Sequence, residues 1–130
     1  MSVPLPPVLV VDDEKNMRLS LQTVLKGEDY AARAVESAEE ALTLLAREEF
    51  FMVITDARLA GMSGYEFLAK ARAQWPDLPL LMITAYATTG QAVQAMRDGA
   101  YDYVKKPFKN DELLAIVEKA VEKRAILEQN

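Results

Sequence analysis

The chain has neither histidine nor cysteine. Without cysteine it can form no disulfide and no thiolate zinc site. Without histidine it has no imidazole base, no imidazole metal ligand and no way to carry phosphohistidine itself. Any chemistry must therefore run on carboxylates, hydroxyls and lysine. It carries 15 basic residues against 20 acidic ones, a net charge of −5, and no basic block. That charge balance argues against direct nucleic-acid binding. No apolar stretch approaches the roughly 18 residues that a bilayer span needs. The start, Met1 to Pro7, is a short proline-rich lead-in without a charged-then-apolar targeting pattern. These absences predict a cytoplasmic setting.

What is present is 51% hydrophobic residues in a 130-residue chain. That is enough for one domain with its own core. Apolar runs alternate with helical periodicity. Val8–Val11 reads as a buried strand, and Lys15–Lys26 as a helix with Met17, Leu21, Val24 and Leu25 inward, closed by Gly27. Tyr30–Val35 is a weaker, alanine-rich strand near an edge. Ser37 and Glu40 form a capping box for a helix reaching about Glu48. Phe51–Thr55 is a strong strand, followed by a loop over Asp56–Ser63 with Gly61 and Gly64 as breakers. The spacing then predicts a helix over Tyr65–Gln74, a strand over Leu80–Thr84 and a helix from the Thr88/Gln91 box to Asp98, stopped by Gly99. A strand at Tyr101–Val104 and a long final helix capped by Asn110 or Asp111 complete five βα units. Tyr65, Phe67 and Trp75 read as packing or rim residues.

Such alternation predicts an α/β domain with a parallel sheet covered on both faces. Ligands of these sheets bind at the carboxyl ends of the strands, near the reversal of strand order. Asp12 and Asp13 follow the first apolar run, and Asp56 the third; Thr84 and Lys106 follow the fourth and fifth. Three acids brought together repel strongly, so the cluster calls for a divalent cation or bound protons. Taken singly, each residue has a plain explanation: a helix cap, a turn aspartate, a β-branched strand residue, a solvated lysine. Their coincidence at four strand ends is what points to a site.

The stretches Val-Val-Asp12-Asp13-Glu14, Thr-Asp56, Ile83-Thr84-Ala85 and Lys105-Lys106-Pro107-Phe108 together resemble the receiver domain of two-component response regulators. The resemblance runs from about Pro7 to Lys123. It implies a doubly wound, flavodoxin-like (βα)5 fold with strand order 2-1-3-4-5. By the same resemblance Asp56 accepts a phosphoryl group from a phosphohistidine on a sensor kinase or phosphotransfer protein. Asp12, Asp13, Asp56 and the backbone carbonyl of Arg58 hold Mg²⁺, or Mn²⁺ in its place, with Asp12 partly through water. Thr84 and Lys106 bond phosphoryl oxygens. Tyr103 is the aromatic switch that turns inward on activation, coupled to Thr84, and Lys106-Pro107 is a cis peptide. Arg58 and Tyr86 border the phosphoryl group and shield it from water.

The segments Thr84–Gly90 and Asp98–Val104 are most similar to the nitrogen-regulatory class, whose members attach an AAA+ ATPase and a DNA-binding domain. No G-x-x-x-x-G-K-[ST] run occurs in this chain. A receiver over residues 1–123 is expected, with residues 124–130 starting a linker helix toward an output domain that controls transcription. A homodimer is a further implied assembly, and no membrane or direct nucleic-acid contact is expected. The domain would be a phospho-accepting switch rather than an enzyme acting on other substrates.

Two other classes remain open to comparison. A haloacid-dehalogenase-like phosphatase would carry an acid two residues after its nucleophile, where this chain has Arg58. A flavodoxin-like cofactor binder would need a hydroxyl- or glycine-rich phosphate loop in place of Asp12-Asp13-Glu14. One departure from the receiver pattern stands out: Ala60 occupies a position where proline is frequent, and Gly61 follows it. A less restricted loop is expected there.

Overall fold

The computed structural model describes residues 5–128. Its strands are β1 (Val8–Val11), β2 (Ala32–Val35), β3 (Met52–Asp56), β4 (Leu80–Thr84) and β5 (Asp102–Lys105). Its helices are α1 (Lys15–Gly27), α2 (Ala38–Arg47), α3 (Gly64–Gln74), α4 (Thr89–Arg97) and α5 (Asn110–Glu128). All neighbouring strands pair in parallel, in the order β2-β1-β3-β4-β5. The expected α/β fold and strand order are both present.

Strand side chains alternate between faces with period two, and here both faces are dry. Val8, Val10, Met52, Ile54, Leu81 and Ile83 pack on α1 and α5 through Leu21, Leu25, Leu113 and Val117. Leu9, Val11, Val53, Leu80 and Met82 pack on α2, α3 and α4 through Ala41, Leu45, Phe67, Leu68 and Ala95. The near-continuous apolar runs of β1, β3 and β4 follow from this double burial.

Several local readings are corrected. Gly27 lies inside α1, and the left-handed residue after it is Asp29, at φ 63°. Its N–H bonds the Lys26 carbonyl. Gly99 does end α4, at φ 103°. Ser37 and Thr88 cap their helices as read, accepting from Glu40 and Gln91 N–H groups. A third such cap went unread: Ser63 accepts from the Glu66 N–H at 3.1 Å and starts α3. Asn110 and Asp111 are the first residues of α5 rather than its cap, and the first helical bond is accepted by the Lys109 carbonyl. The fifth strand sits one residue later than read, at Asp102–Lys105.

Gly64 is a close-packing position. A Cβ there would fall inside contact distance of the Asp56 carbonyl oxygen and 2.8 Å from the Ala57 Cα. The Gly64 N–H also donates to the Ala57 carbonyl at 3.0 Å. Helix α3 therefore starts in direct backbone contact with the end of β3.

Candidate functional site at the strand ends

The carboxyl edge of the sheet gathers the predicted residues from four strands. Asp12 follows β1, Asp56 ends β3, Thr84 ends β4 and Lys106 follows β5. Register brings them level: Asp56 pairs with Ile83, and Thr84 with Lys105. Asp12 is 1% exposed, Thr84 1% and Asp56 8%, so this is a recessed polar cluster rather than a solvated rim.

Lys106 connects the acids. Its Nζ donates to Asp56 Oδ2 at 2.7 Å and to Asp12 Oδ2 at 3.1 Å. The Lys106 N–H meanwhile donates to the Thr84 carbonyl at 2.9 Å, which fixes the base of the lysine against β4. The Lys106-Pro107 peptide is cis. Asp12 Oδ1 accepts the Glu14 N–H at 2.9 Å, and Asp56 Oδ1 accepts the Arg58 N–H at 2.9 Å. Each buried carboxylate thus has a backbone donor on one oxygen and the ammonium on the other. No buried side-chain polar atom among the described residues lacks a partner.

Burial pushes the Asp12 carboxyl above its usual range, outweighing the Glu14 N–H and Lys106, which pull it down. For Lys106, burial pulls downward, but the bonds to Asp56 and Asp12 prevail and its pKa is raised. The ammonium is held charged, while burial disfavours the charge on Asp12.

Asp13 is placed differently. It is exposed, and its Oδ2 accepts the Ala60 N–H at 3.3 Å. Glu39 of α2 accepts the Met62 N–H at 3.3 Å. Three N–H groups of the β3–α3 loop, at Arg58, Ala60 and Met62, therefore point at three carboxylates: Asp56, Asp13 and Glu39. The expected looseness of the proline-free loop is answered by acids. Gly61 takes φ 78°, and a Cβ on it would stand 2.8 Å from Glu39 Oε2.

The donors available are all oxygen, which suits a hard divalent cation. Among the described residues no three acids converge on one point as they stand. Lys106 occupies the space between Asp12 and Asp56, and Asp13 faces the loop. Asp12, Asp13 and Asp56 nevertheless supply carboxylate oxygens at neighbouring strand ends, the donor type that a hard divalent cation takes.

Arg58 and Tyr86 stack at the mouth of the site, with the guanidinium carbon 4.1 Å from the ring centroid. Thr84 Oγ1 accepts the Tyr86 N–H at 3.2 Å. Tyr103, on β5, lies partly buried against the α2–α3–α4 side of the core. Its hydroxyl meets that of Tyr65, on the first turn of α3, at 2.7 Å. Tyr65 reads in the sequence as a packing or rim residue, and it does pack against the core; no local pattern announces a partner 38 residues away.

Over most of its length the chain is similar to known proteins. A family model described as response regulator receiver domain matches residues 8–118. Response regulator protein FleR of Pseudomonas aeruginosa is 44% identical over 110 residues, covering 85% of this chain and 23% of that protein. The C4-dicarboxylate transport transcriptional regulatory protein DctD of Rhizobium meliloti is 37% identical over 125 residues, covering 96% of this chain and 27% of that protein. The chain thus spans about a quarter of the length of these curated relatives. Among solved structures, the receiver domain of NtrX from Brucella abortus superimposes with a TM-score of 0.84 at 36% identity, covering 88% of this chain and 98% of that one. With the family model, the relatives and the fold in agreement, the chain belongs to the response regulator receiver domain family.

Proposed function

We propose that Asp56 accepts a phosphoryl group from a phosphohistidine on a sensor kinase or phosphotransfer protein. The observation that carries this reading is the Lys106 ammonium set between Asp56 and Asp12 at the carboxyl edge of the sheet. An Asp56 oxygen attacks phosphorus; the phosphorus–nitrogen bond of phosphohistidine breaks, and its electron pair stays on the imidazole. The product is an acyl phosphate. A carboxylate needs no general base to attack, so the lack of histidine is no obstacle. Phosphoryl transfer depends mostly on positioning and charge neutralisation. Lys106 and the Thr84 hydroxyl supply donors for two phosphoryl oxygens. Asp12, Asp13, Asp56 and the Arg58 carbonyl would hold Mg²⁺, or Mn²⁺, which neutralises phosphoryl charge when bound.

Phosphorylation then biases the domain between two conformations, read on the face made by α4, β5 and α5. That face carries exposed Val93 and Met96 on α4 and the partly buried Tyr103 on β5. Because relatives such as DctD are transcriptional regulatory proteins several times longer, we assign the chain to control of an attached output, an AAA+ and DNA-binding pair, from the cytoplasm. Residues 1–123 form the receiver in this reading, and the remainder of α5 leads toward that output, with a homodimer as its assembled form. Among the described residues no helix is long and apolar enough to cross a membrane. The domain's own chemistry is limited to gaining and losing the phosphoryl group.

Incubation with acetyl phosphate and Mg²⁺ should add the mass of one phosphate. Borohydride reduction should convert the modified residue to homoserine at position 56. No mass gain, or homoserine at another position, overturns the assignment.

The Arg58–Tyr86 stack leads to a second expectation. It covers the approach of hydrolytic water, and removing it should shorten the phosphorylated lifetime. The combined Arg58→Ala and Tyr86→Ala variant should lose phosphate about 2- to 5-fold faster, the rate equivalent of an exposed cation–π contact. Equal decay rates in Mg²⁺ would remove the shielding role.

A further inference from the structure

We infer that Tyr65 is a positioning residue for Lys106, acting through its hydroxyl contact with Tyr103. This rests on the proposed role of Lys106 and assigns a part to a helix that role leaves unused.

The geometry forms a closed circuit. Among the described residues, strand β5 is at the edge of the sheet and pairs with β4 alone. It delivers Lys106 to Asp56, its end held to β4 by the Lys106 N–H, and among the described residues no further strand lies on its outer side. Lys105, its last residue, is exposed. The Tyr103 hydroxyl reaches across to Tyr65 at 2.7 Å, one hydroxyl donating and the other accepting. Tyr65 stands next to Gly64, whose N–H is bonded to the Ala57 carbonyl and whose Cα lies against the backbone of Asp56. The phenol pair therefore ties β5 to the same backbone segment that carries Asp56. From Asp56 the path runs through Gly64, Tyr65, Tyr103 and β5 to Lys106, whose Nζ closes it on Asp56 Oδ2 at 2.7 Å. A lysine is long and flexible, so a braced strand end limits how far its ammonium can stray.

The bridge is well seated. Tyr103 packs against the core, and burial together with the Tyr65 hydroxyl raises its pKa above the ordinary tyrosine value. A solvated phenol pair would exchange freely with water; this one is partly withdrawn from it.

The test compares wild type, Tyr65→Phe, Tyr103→Phe and the double variant, all as the full chain. Phenylalanine keeps the ring and its packing and removes only the hydroxyl. In unphosphorylated protein, the NMR shifts of the Lys106 side-chain and backbone nuclei should move in Tyr65→Phe, while a urea midpoint near wild type shows the fold intact. Phosphorylation by acetyl phosphate should slow about fivefold in either single variant, and the double variant should be no slower than the singles. Unmoved Lys106 resonances overturn the inference, as do additive losses, which would mean that the two hydroxyls act separately. The NMR arm needs no phosphorylation, so an unphosphorylated wild type would sink the acceptor role of Asp56 while still deciding the role of Tyr65.

Discussion

Replacing Lys106 with methionine should cost the domain about 3 kcal/mol at neutral pH, the typical penalty for removing one partner of a buried ion pair. Counting side chains alone, Lys106 is 12% exposed, and its partners are Asp56 at 12% and Asp12 at 1%. Methionine fills similar volume, so the loss is electrostatic. Two buried carboxylates would be left facing each other with only their backbone donors, Glu14 and Arg58.

The loss should depend on pH with a definite sign. Burial already holds the Asp12 pKa above 3.8 in the native state. Stability linked to Asp12 is complete below that ordinary value and declines as pH rises through the raised one. Without Lys106 that pKa rises further, so the decline becomes steeper. The gap between Lys106→Met and wild type should be widest near pH 7.5 and narrow as pH falls into the carboxylate range. In wild type the Lys106 contribution is complete below 10.5, its ordinary value, and is lost only as pH climbs through the raised value. Urea midpoints at pH 7.5 and 5 measure the difference. A gap that stays constant would show that the ammonium does not offset these charges. Phosphorylation by acetyl phosphate should fall about 100-fold, the usual consequence of losing one preorganised donor at a developing charge.

Gly64→Ala should be nearly as damaging with no change in charge. The added methyl would run into the Asp56 carbonyl oxygen and the Ala57 Cα. Both are backbone atoms of a buried strand end and cannot rotate away. Either α3 shifts outward or β3 bends, at a cost of about 3 kcal/mol, the upper part of the usual range for overpacking. Either movement also displaces Asp56 from Lys106, so the phosphorylation rate should fall together with stability. Gly90→Ala is the control, since its Cβ would meet nothing within 4 Å. If Gly64→Ala unfolds at the wild-type urea concentration, the close approach is not structurally important.

The contrast between these two residues shows what could be read from the chain alone. Lys106 was legible because strand ends, acids and a lysine fall in a fixed order, and a parallel sheet brings strand ends together whatever the side chains do. Buried runs such as Val8–Val11 and Leu80–Thr84 were legible for the same reason: an apolar segment that short has few other places to go. Gly64 was read as a breaker, since a glycine in a loop carries the same letter whether it bends the chain or admits another backbone. Gly27 and Asp29 show the converse, with the left-handed turn falling on the aspartate two residues beyond the glycine. Contacts between side chains on distant elements were not legible at all. The Tyr65–Tyr103 pair, and Asp13 and Glu39 holding the β3–α3 loop, depend on how α2, α3 and β5 settle on the sheet. Asp13 was read as a cation ligand, and its contact with the Ala60 N–H gives it a second use that no spacing encodes.

Among the described residues the sheet is open, so β2 and β5 each leave one row of peptide groups without a strand beside it. Such margins invite pairing between molecules. Here each margin is short and charged. On β2, Arg33 is clamped by Glu48, with Nη1 at 2.6 and 2.9 Å from its two carboxylate oxygens. On β5, Asp102 and Lys105 are the first and last of the four residues. An ion pair this exposed adds little to folding stability, and its value lies in solubility. Charge on both margins works against edge-to-edge pairing between copies of the domain.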